Sequence, residues 1–230
     1  MTAIPLLSLR IGDVAPLGLR AAPSGIAKSP VTRPLALSLT DLAGDRQGDP
    51  VRHGGPEKAV HHYPFDHYAG WTGDLGPHPL LQGPGAFGEN LSTSGLTEET
   101  VAVGDVFRLG TALIEVSQGR QPCWKLNERF GRADMARLVQ SSGRTGWYYR
   151  VLEPGIVAPE DSLTLQERRA PEWTLARLWR TFYIDPLNRA ELAGIAALDR
   201  LAEGWRSHAA RRLESNRVED WTRRLSGSEA

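Results

Sequence analysis

The sequence predicts a mainly β domain of barrel or sandwich type over residues 1–168, followed by a small three-helix domain over residues 169–230. Three observations carry this. Up to about residue 168, short apolar runs are separated by Gly- and Pro-rich turns. From about Pro171 onward Gly and Pro become scarce and helix formers dominate. The length of 230 residues suits one ordinary domain plus a small addition, and 40% hydrophobic with 23% charged residues can build a real core.

Each element follows from local pattern. Leu35-Ala36-Leu37-Ser38-Leu39 alternates with period two, as a half-buried strand does. Val106–Leu109 and Ala112–Val116 flank Gly110-Thr111 and read as a β-hairpin. Trp147–Leu152 is aromatic and β-branched and stops at Glu153-Pro154-Gly155; Leu163-Thr164-Leu165 closes the series. Two short helices are expected between strands, around 65–71 and 132–141, the second with Met135, Leu138 and Val139 on one face. Further on, Leu175, Leu178, Trp179 and Phe182 recur at helical spacing. Asn188 with Glu191 resembles a capping box before Leu192 and Ile195. Val218, Trp221 and Leu225 predict a third helix ending near Gly227. Trp173, Trp179, Trp205 and Trp221 are expected in the core of this bundle.

Charge narrows the function classes. Lys plus Arg equals Asp plus Glu at 27 each, so nothing draws the whole chain to nucleic acid or anionic lipid. Arg211-Arg212 and Arg223-Arg224 read as solvated helix faces. No apolar run reaches the ~18 residues of a membrane span, and the N-terminus lacks the pattern of a secretory signal. A single cysteine fits a reducing compartment, so a cytoplasmic location is expected.

That cysteine, Cys123, is the leading chemical candidate. Arg120 and Lys125 flank it, and nearby positive charge favours the thiolate that attacks electrophiles and binds soft metals. The plainer alternative is a buried small hydrophobe. Asp45 and Asp49 lie in a loop without the distal glutamate of a calcium site, and turn chemistry accounts for them. His53-Gly54-Gly55 can expose backbone amides, but no Gly-Lys-Ser/Thr follows to make a P-loop. His61, His62 and His67 lack the partners of a zinc helix, so structural or supporting roles are expected. Asn90 sits in a glycine-dense loop and offers both donors and an acceptor. Lys28-Ser29 places an ammonium beside a hydroxyl, a pair that suits a phosphate.

Taken in order, these blocks resemble the MOSC family (molybdenum cofactor sulfurase C-terminal domain), and within it the bacterial YiiM-like group with its short helical extension. The resemblance rests on Leu42–Gln47, His53–Val60, His62-Tyr63-Pro64, His67-Tyr68, Phe87–Thr93, Gly95-Leu96-Thr97, Gly104-Asp105, Val116-Ser117-Gln118, Cys123, Lys125-Leu126-Asn127 and Thr145-Gly146-Trp147. It implies a MOSC-type β-barrel with a few short helices and a C-terminal three-helix domain. It also implies a molybdenum cofactor of the molybdopterin type, with Cys123 as metal ligand. The expected activity is reduction of N-hydroxylated compounds such as hydroxylaminopurines to amines, a detoxification of N-hydroxylated bases, with electrons drawn from a flavoprotein reductase. The resemblance carries Lys28 and Ser29 over as holders of the pterin phosphate. Asn90, Gln118 and Arg120 are carried over as further cofactor contacts. His53 and His61 are expected proton donors, because histidine titrates near neutrality. Gly119 departs from a proline usual in relatives and gives the loop before Cys123 extra freedom. Two other readings of Cys123 remain open: a sulfur carrier or transferase working through a persulfide, and a non-enzymatic binding module that docks a partner through its helices.

Overall fold

The computed structural model describes residues 2–227, and of Val51 and Arg52 only the backbone; Met1 and residues 228–230, the outer ends of the two predicted domains, lie outside the described residues. Nine strands share one sheet in the spatial order β1 (Ala3–Pro5), β13 (Ser162–Glu167), β9 (Val106–Leu109), β10 (Ala112–Gly119), β11 (Trp147–Glu153), β7 (Val60–His62), β8 (Leu91–Ser92), β2 (Ser8–Ile11) and β5 (Ser29–Pro30). Two ribbons stand apart, β3 (Ala15–Leu17) with β4 (Ala22–Ser24) and β6 (Leu35–Leu37) with β12 (Gly155–Val157).

The sheet has to curl. β1 lies at one edge and β2 beside the other, yet only Leu6 and Leu7 separate them. Leu6 N–H donates to Asp161 at one end (2.9 Å) while Leu7 N–H donates to Ser92 at the other (2.8 Å). Two residues span at most ~7 Å, so the edges are brought together into a barrel-like wall. The predicted hairpin is β9–β10, turning through Gly110-Thr111 as the sequence suggests. Ile114, Val116, Trp147, Tyr149 and Leu163 fill the interior at 0% exposure. Glu115, also buried, is compensated by Arg150 (2.7 Å) and Arg169 (2.9 Å).

A second apolar cluster sits outside the wall and supports the loops of the site. It packs Tyr63, Trp71, Phe87, Leu126, Phe130 and Met135, with Tyr63 and Phe87 stacked at 4.0 Å. Tyr63 follows β7 and Phe87 lies in the loop before β8, while the others come from α2 (His67–Leu75), α3 (Lys125–Phe130) and α4 (Met135–Ser142), which follow a one-turn α1 (Pro50–His53). Buried Glu89 fixes the glycine-dense loop by accepting from Tyr68 Oη (2.6 Å) and from the Gly85 and Phe87 amides (2.5 and 3.0 Å).

The helical end is α5 (Leu175–Tyr183), α6 (Arg189–Ala197), α7 (Glu203–Ser215) and a short α8 (Thr222–Ser226). Thr174 caps α5 by accepting from the Arg177 amide, and Asn188 caps α6 from the Glu191 amide. The predicted third helix near Val218–Leu225 proves to be only α8; the long third helix is α7, which the apolar spacing had not indicated. Its buried residues are Trp205, Ala209 and Arg212, so a guanidinium interrupts the stripe that would mark it. Arg212 is bidentate to Glu219 (2.9 and 2.8 Å) and donates to Phe182 O (3.0 Å), which corrects its expected place on a solvated face. Trp173 and Trp205 are buried as expected, but Trp179 is only half-buried and donates to Gln140 O in α4 (2.6 Å), tying the helical end to the β domain. Among the described residues no helix is long and apolar enough to cross a membrane.

Candidate active site

A cavity of about 580 Å³ opens beside β7, where the loops around 24–28, 45–48 and 87–90 meet the Cys123 loop. One corner is a buried polar cluster. Lys28 is ion-paired with Asp45, both almost wholly buried. Asp45 also accepts from the Gly12 amide (2.9 Å) and from Asn90 Nδ2 (3.0 Å). Asn90 spends its other groups on Arg10 O (3.1 Å) and the His61 amide (3.0 Å). Burial pulls the Lys28 ammonium below its ordinary pKa, and Asp45 opposes that shift. Glycine is needed where the loops close up: a Cβ on Gly25 would lie 1.9 Å from Arg46 O, and one on Gly48 2.1 Å from Pro23 O.

Ser29 is not in this corner. It is exposed in the edge strand β5, paired with Ile11, whereas Lys28 just before the strand is buried. The structure does not bring the two residues to one corner.

Cys123 lies at the opposite wall, half-buried, between the end of β10 and the start of α3. Its Sγ is 3.6 Å from His53 Nε2. Residues far along the chain hold this loop. Arg224 Nη1 donates to Pro122 O (2.6 Å), and Trp124 N–H donates to Arg224 O (2.8 Å), so α8 grips the chain on both sides of the cysteine. Asn127 Nδ2 adds a bond to Leu225 O (2.8 Å). Gly119 has no special role here: it pairs with Trp147 inside the sheet, and an added Cβ would touch Trp205 at 3.6 Å, an ordinary contact.

The cavity is cationic. Lys28, Arg46, Lys58, Arg120 and Lys125 line it against the single carboxylate of Asp45. Two buried polar atoms that border it, His61 Nε2 and Arg120 Nη1, have no partner. Burial, with Lys125, Arg120 and Lys58 nearby, pulls the His53 imidazole down to about 4. Burial and Arg120 push His61 far down too. Both rings are thus neutral at pH 7, which removes the neutral-pH titration expected of them. His62 and His67 serve structure, His62 bonding Tyr149 Oη (3.0 Å) and Thr93 (2.9 Å) and His67 bonding Glu98 (2.6 Å).

Gln118 does not reach the first cavity. It borders a second hollow of about 1100 Å³ on the far side of Cys123 and donates to Glu57 O (2.9 Å). The two hollows share His53, Lys58, Cys123 and Tyr148. Sequence reasoning missed Asp45, Lys58 and Tyr148 as site residues. For Tyr148 a signal existed, because alternation along β11 sends Trp147 and Tyr149 inward and Tyr148 to the other face. For Asp45 there was none: only tertiary structure brings it to Lys28. Among the described residues no three His, Cys, Asp or Glu converge as a metal cage.

Comparison with known proteins agrees with this architecture. Residues 49–164 match the MOSC domain, and residues 173–216 match the YiiM-like 3-alpha helix domain. Protein YiiM of Escherichia coli is 40% identical over 205 residues, covering 89% of this chain and 91% of that protein. The crystal structure of Escherichia coli YiiM superposes with a TM-score of 0.82 at 35% identity, covering 98% of this chain and 99% of that one. A Gibberella moniliformis protein named a reductase is 40% identical over 158 residues, 68% of this chain but only 28% of that protein. A MOSC β domain and a YiiM-like helical extension, in one chain and in this order, place the protein in the MOSC family, in its YiiM-like group.

Proposed function

We propose that the protein is a molybdenum-cofactor-dependent reductase of N-hydroxylated compounds, such as hydroxylaminopurines, working with a flavoprotein electron donor. One observation carries the reading: the chain's single thiol faces a cationic cavity whose wall contains two unpartnered buried polar atoms. The residues present fit the group. An anionic pterin suits five cations against one carboxylate, and the unpartnered Arg120 Nη1 and His61 Nε2 can bond a polar ring. Cys123 would be the metal's protein ligand, since no His/Cys/Asp/Glu cage competes for it among the described residues. Lys28 and Arg120 would hold the cofactor's anionic and polar edges. The family membership and the relative named a reductase support the same class of activity.

When bound, the cofactor supplies the two-electron reduction of the N–O bond, in which R–NHOH with two electrons and two protons gives R–NH2 and water. The chain's own residues prepare the site. Asp45 fixes the Lys28 ammonium, and Asn90 in turn fixes Asp45. Neutral His53 Nε2 is placed to take a hydrogen bond from the Cys123 thiol and to hold its sulfur in one rotamer.

The test is a metal and activity measurement on one pair of proteins. Expressed with cofactor supply, the wild type should hold molybdenum and reduce a hydroxylaminopurine when given a reduced electron donor. Cys123→Ser should lose both. A wild type that binds no molybdenum but carries cyanide-labile sulfur on Cys123 would establish the sulfur-transfer reading instead.

A further inference from the structure

The second hollow is not used by the cofactor reading, and it meets the first one at Cys123. Its outer wall is supplied by Asp220, Arg223 and Arg224, from residues beyond both matched family regions, 49–164 and 173–216. Its inner wall carries the rings of Trp124 and Tyr148 and the amides of Gln118 and Gln121. Both amides donate through Nε2, to Glu57 O and to Tyr183 Oη (3.3 Å), while their Oε1 atoms accept no hydrogen bond from the described residues. Two aromatic rings and two amide acceptors suit a planar heterocycle that carries N–H groups.

Charge sharpens the class. Arg224 is committed to Pro122 O and to Gln140 Oε1 (2.5 Å). Arg223 is exposed, lines the hollow, and makes no ion pair or side-chain hydrogen bond with the described residues. With Lys58 and with Arg224, whose acceptors are uncharged, it gives the lining of the hollow three basic side chains to one carboxylate, Asp220. We infer that this hollow is the substrate chamber, and that Arg223 in the tail selects N-hydroxylated heterocycles bearing an anionic group, such as a 5′-monophosphate, over the uncharged base. The inference rests on the reductase reading for the word substrate, but the binding it asserts is independent of turnover.

Equilibrium titration calorimetry on the full-length protein, without electron donor, tests it. The probes are 6-hydroxylaminopurine and its ribonucleoside 5′-monophosphate, against wild type and Arg223→Glu. A charge-assisted contact predicts that wild type binds the nucleotide about tenfold tighter than the base and that Arg223→Glu abolishes the difference. Equal affinity in the wild type overturns the inference, as does a preference that survives in Arg223→Glu, because the anion then sits elsewhere. Arg223 is exposed, so the variant's fold is not at issue. If molybdenum-loaded protein fails to turn over while this binding pattern holds, the reductase reading falls and the chamber assignment stands.

Discussion

The two walls of the site are held in different ways. At the Lys28 wall, Asp45, Asn90 and the Gly12 amide interlock inside the β domain, almost wholly out of water. At the Cys123 wall, the loop is gripped from a hundred residues away by a five-residue helix that buries only Leu225. The difference teaches that the charged anchor is part of the fold, whereas the thiol is held by an accessory. Disturbing the first should cost stability; disturbing the second should alter the thiol.

The largest expected effect is therefore on Asp45→Asn. It leaves the Lys28 ammonium buried without its counter-charge, and breaking a buried pair in this way costs about 3–5 kcal/mol. Urea denaturation should show that loss, while Arg224→Met should not. A loss below about 1 kcal/mol would mean that water reaches Lys28 and that the two walls are not different in kind.

Acidification should separate the same regions. Burial holds His62 down to about 3 and, with its cationic neighbours, His53 to about 4, whereas the unfolded chain titrates near 6.5. The unfolded state then binds more protons over that interval, so stability is intact above pH 6.5 and falls as the pH drops toward 3. For fully buried His62 the loss by pH 5 is about 2 kcal/mol. Amide exchange should accelerate along Val60–His62 and Trp147–Glu153 before it does in Leu175–Tyr183. Uniform acceleration in both would show that the histidines do not govern the response.

Arg224→Met probes the accessory grip. It removes two short bonds from a charged donor, to Pro122 O and Gln140 Oε1, worth about 1–2 kcal/mol at a half-exposed site. Cys123 should alkylate several-fold faster with iodoacetamide, because its loop is freed. Lysine at 224 should restore only part of the protection, lacking the fork that reaches both acceptors.

How much of this was readable beforehand follows from what each element depends on. The β9–β10 hairpin, β11 and the cap at Asn188 were legible because local pattern decides them. Cys123, Lys28, Asn90 and Arg120 stood out in the sequence, and the structure brings them to one cavity. Helix α7 was hidden because Arg212 takes a core position through Glu219, so polarity masks burial. Asp45 was hidden because nothing near it in sequence marks it as the partner of Lys28. Ser29 stands apart from Lys28 despite adjacency: it begins an exposed edge strand, while Lys28 just before that strand is drawn inward to Asp45. The grip of α8 on the thiol loop joins residues about a hundred apart, which no local pattern encodes.

The smallest effect tests whether the helical extension and the thiol are coupled at all. Asn188 caps α6 by accepting from the Glu191 amide (3.2 Å), and replacing such a cap with alanine costs about 1 kcal/mol. α6 touches α5 and α7, and α7 leads into the segment that carries Arg224. Loosening α6 should therefore reach Cys123 only through the tail. Asn188→Ala should raise the Cys123 alkylation rate by less than Arg224→Met does, and the double variant should alkylate no faster than Arg224→Met alone, since the grip is already gone. The Lys28 corner, held within the β domain, should keep its protection from amide exchange in both variants. If the two substitutions instead multiply in their effect on the thiol, the extension acts on Cys123 by a route other than α8.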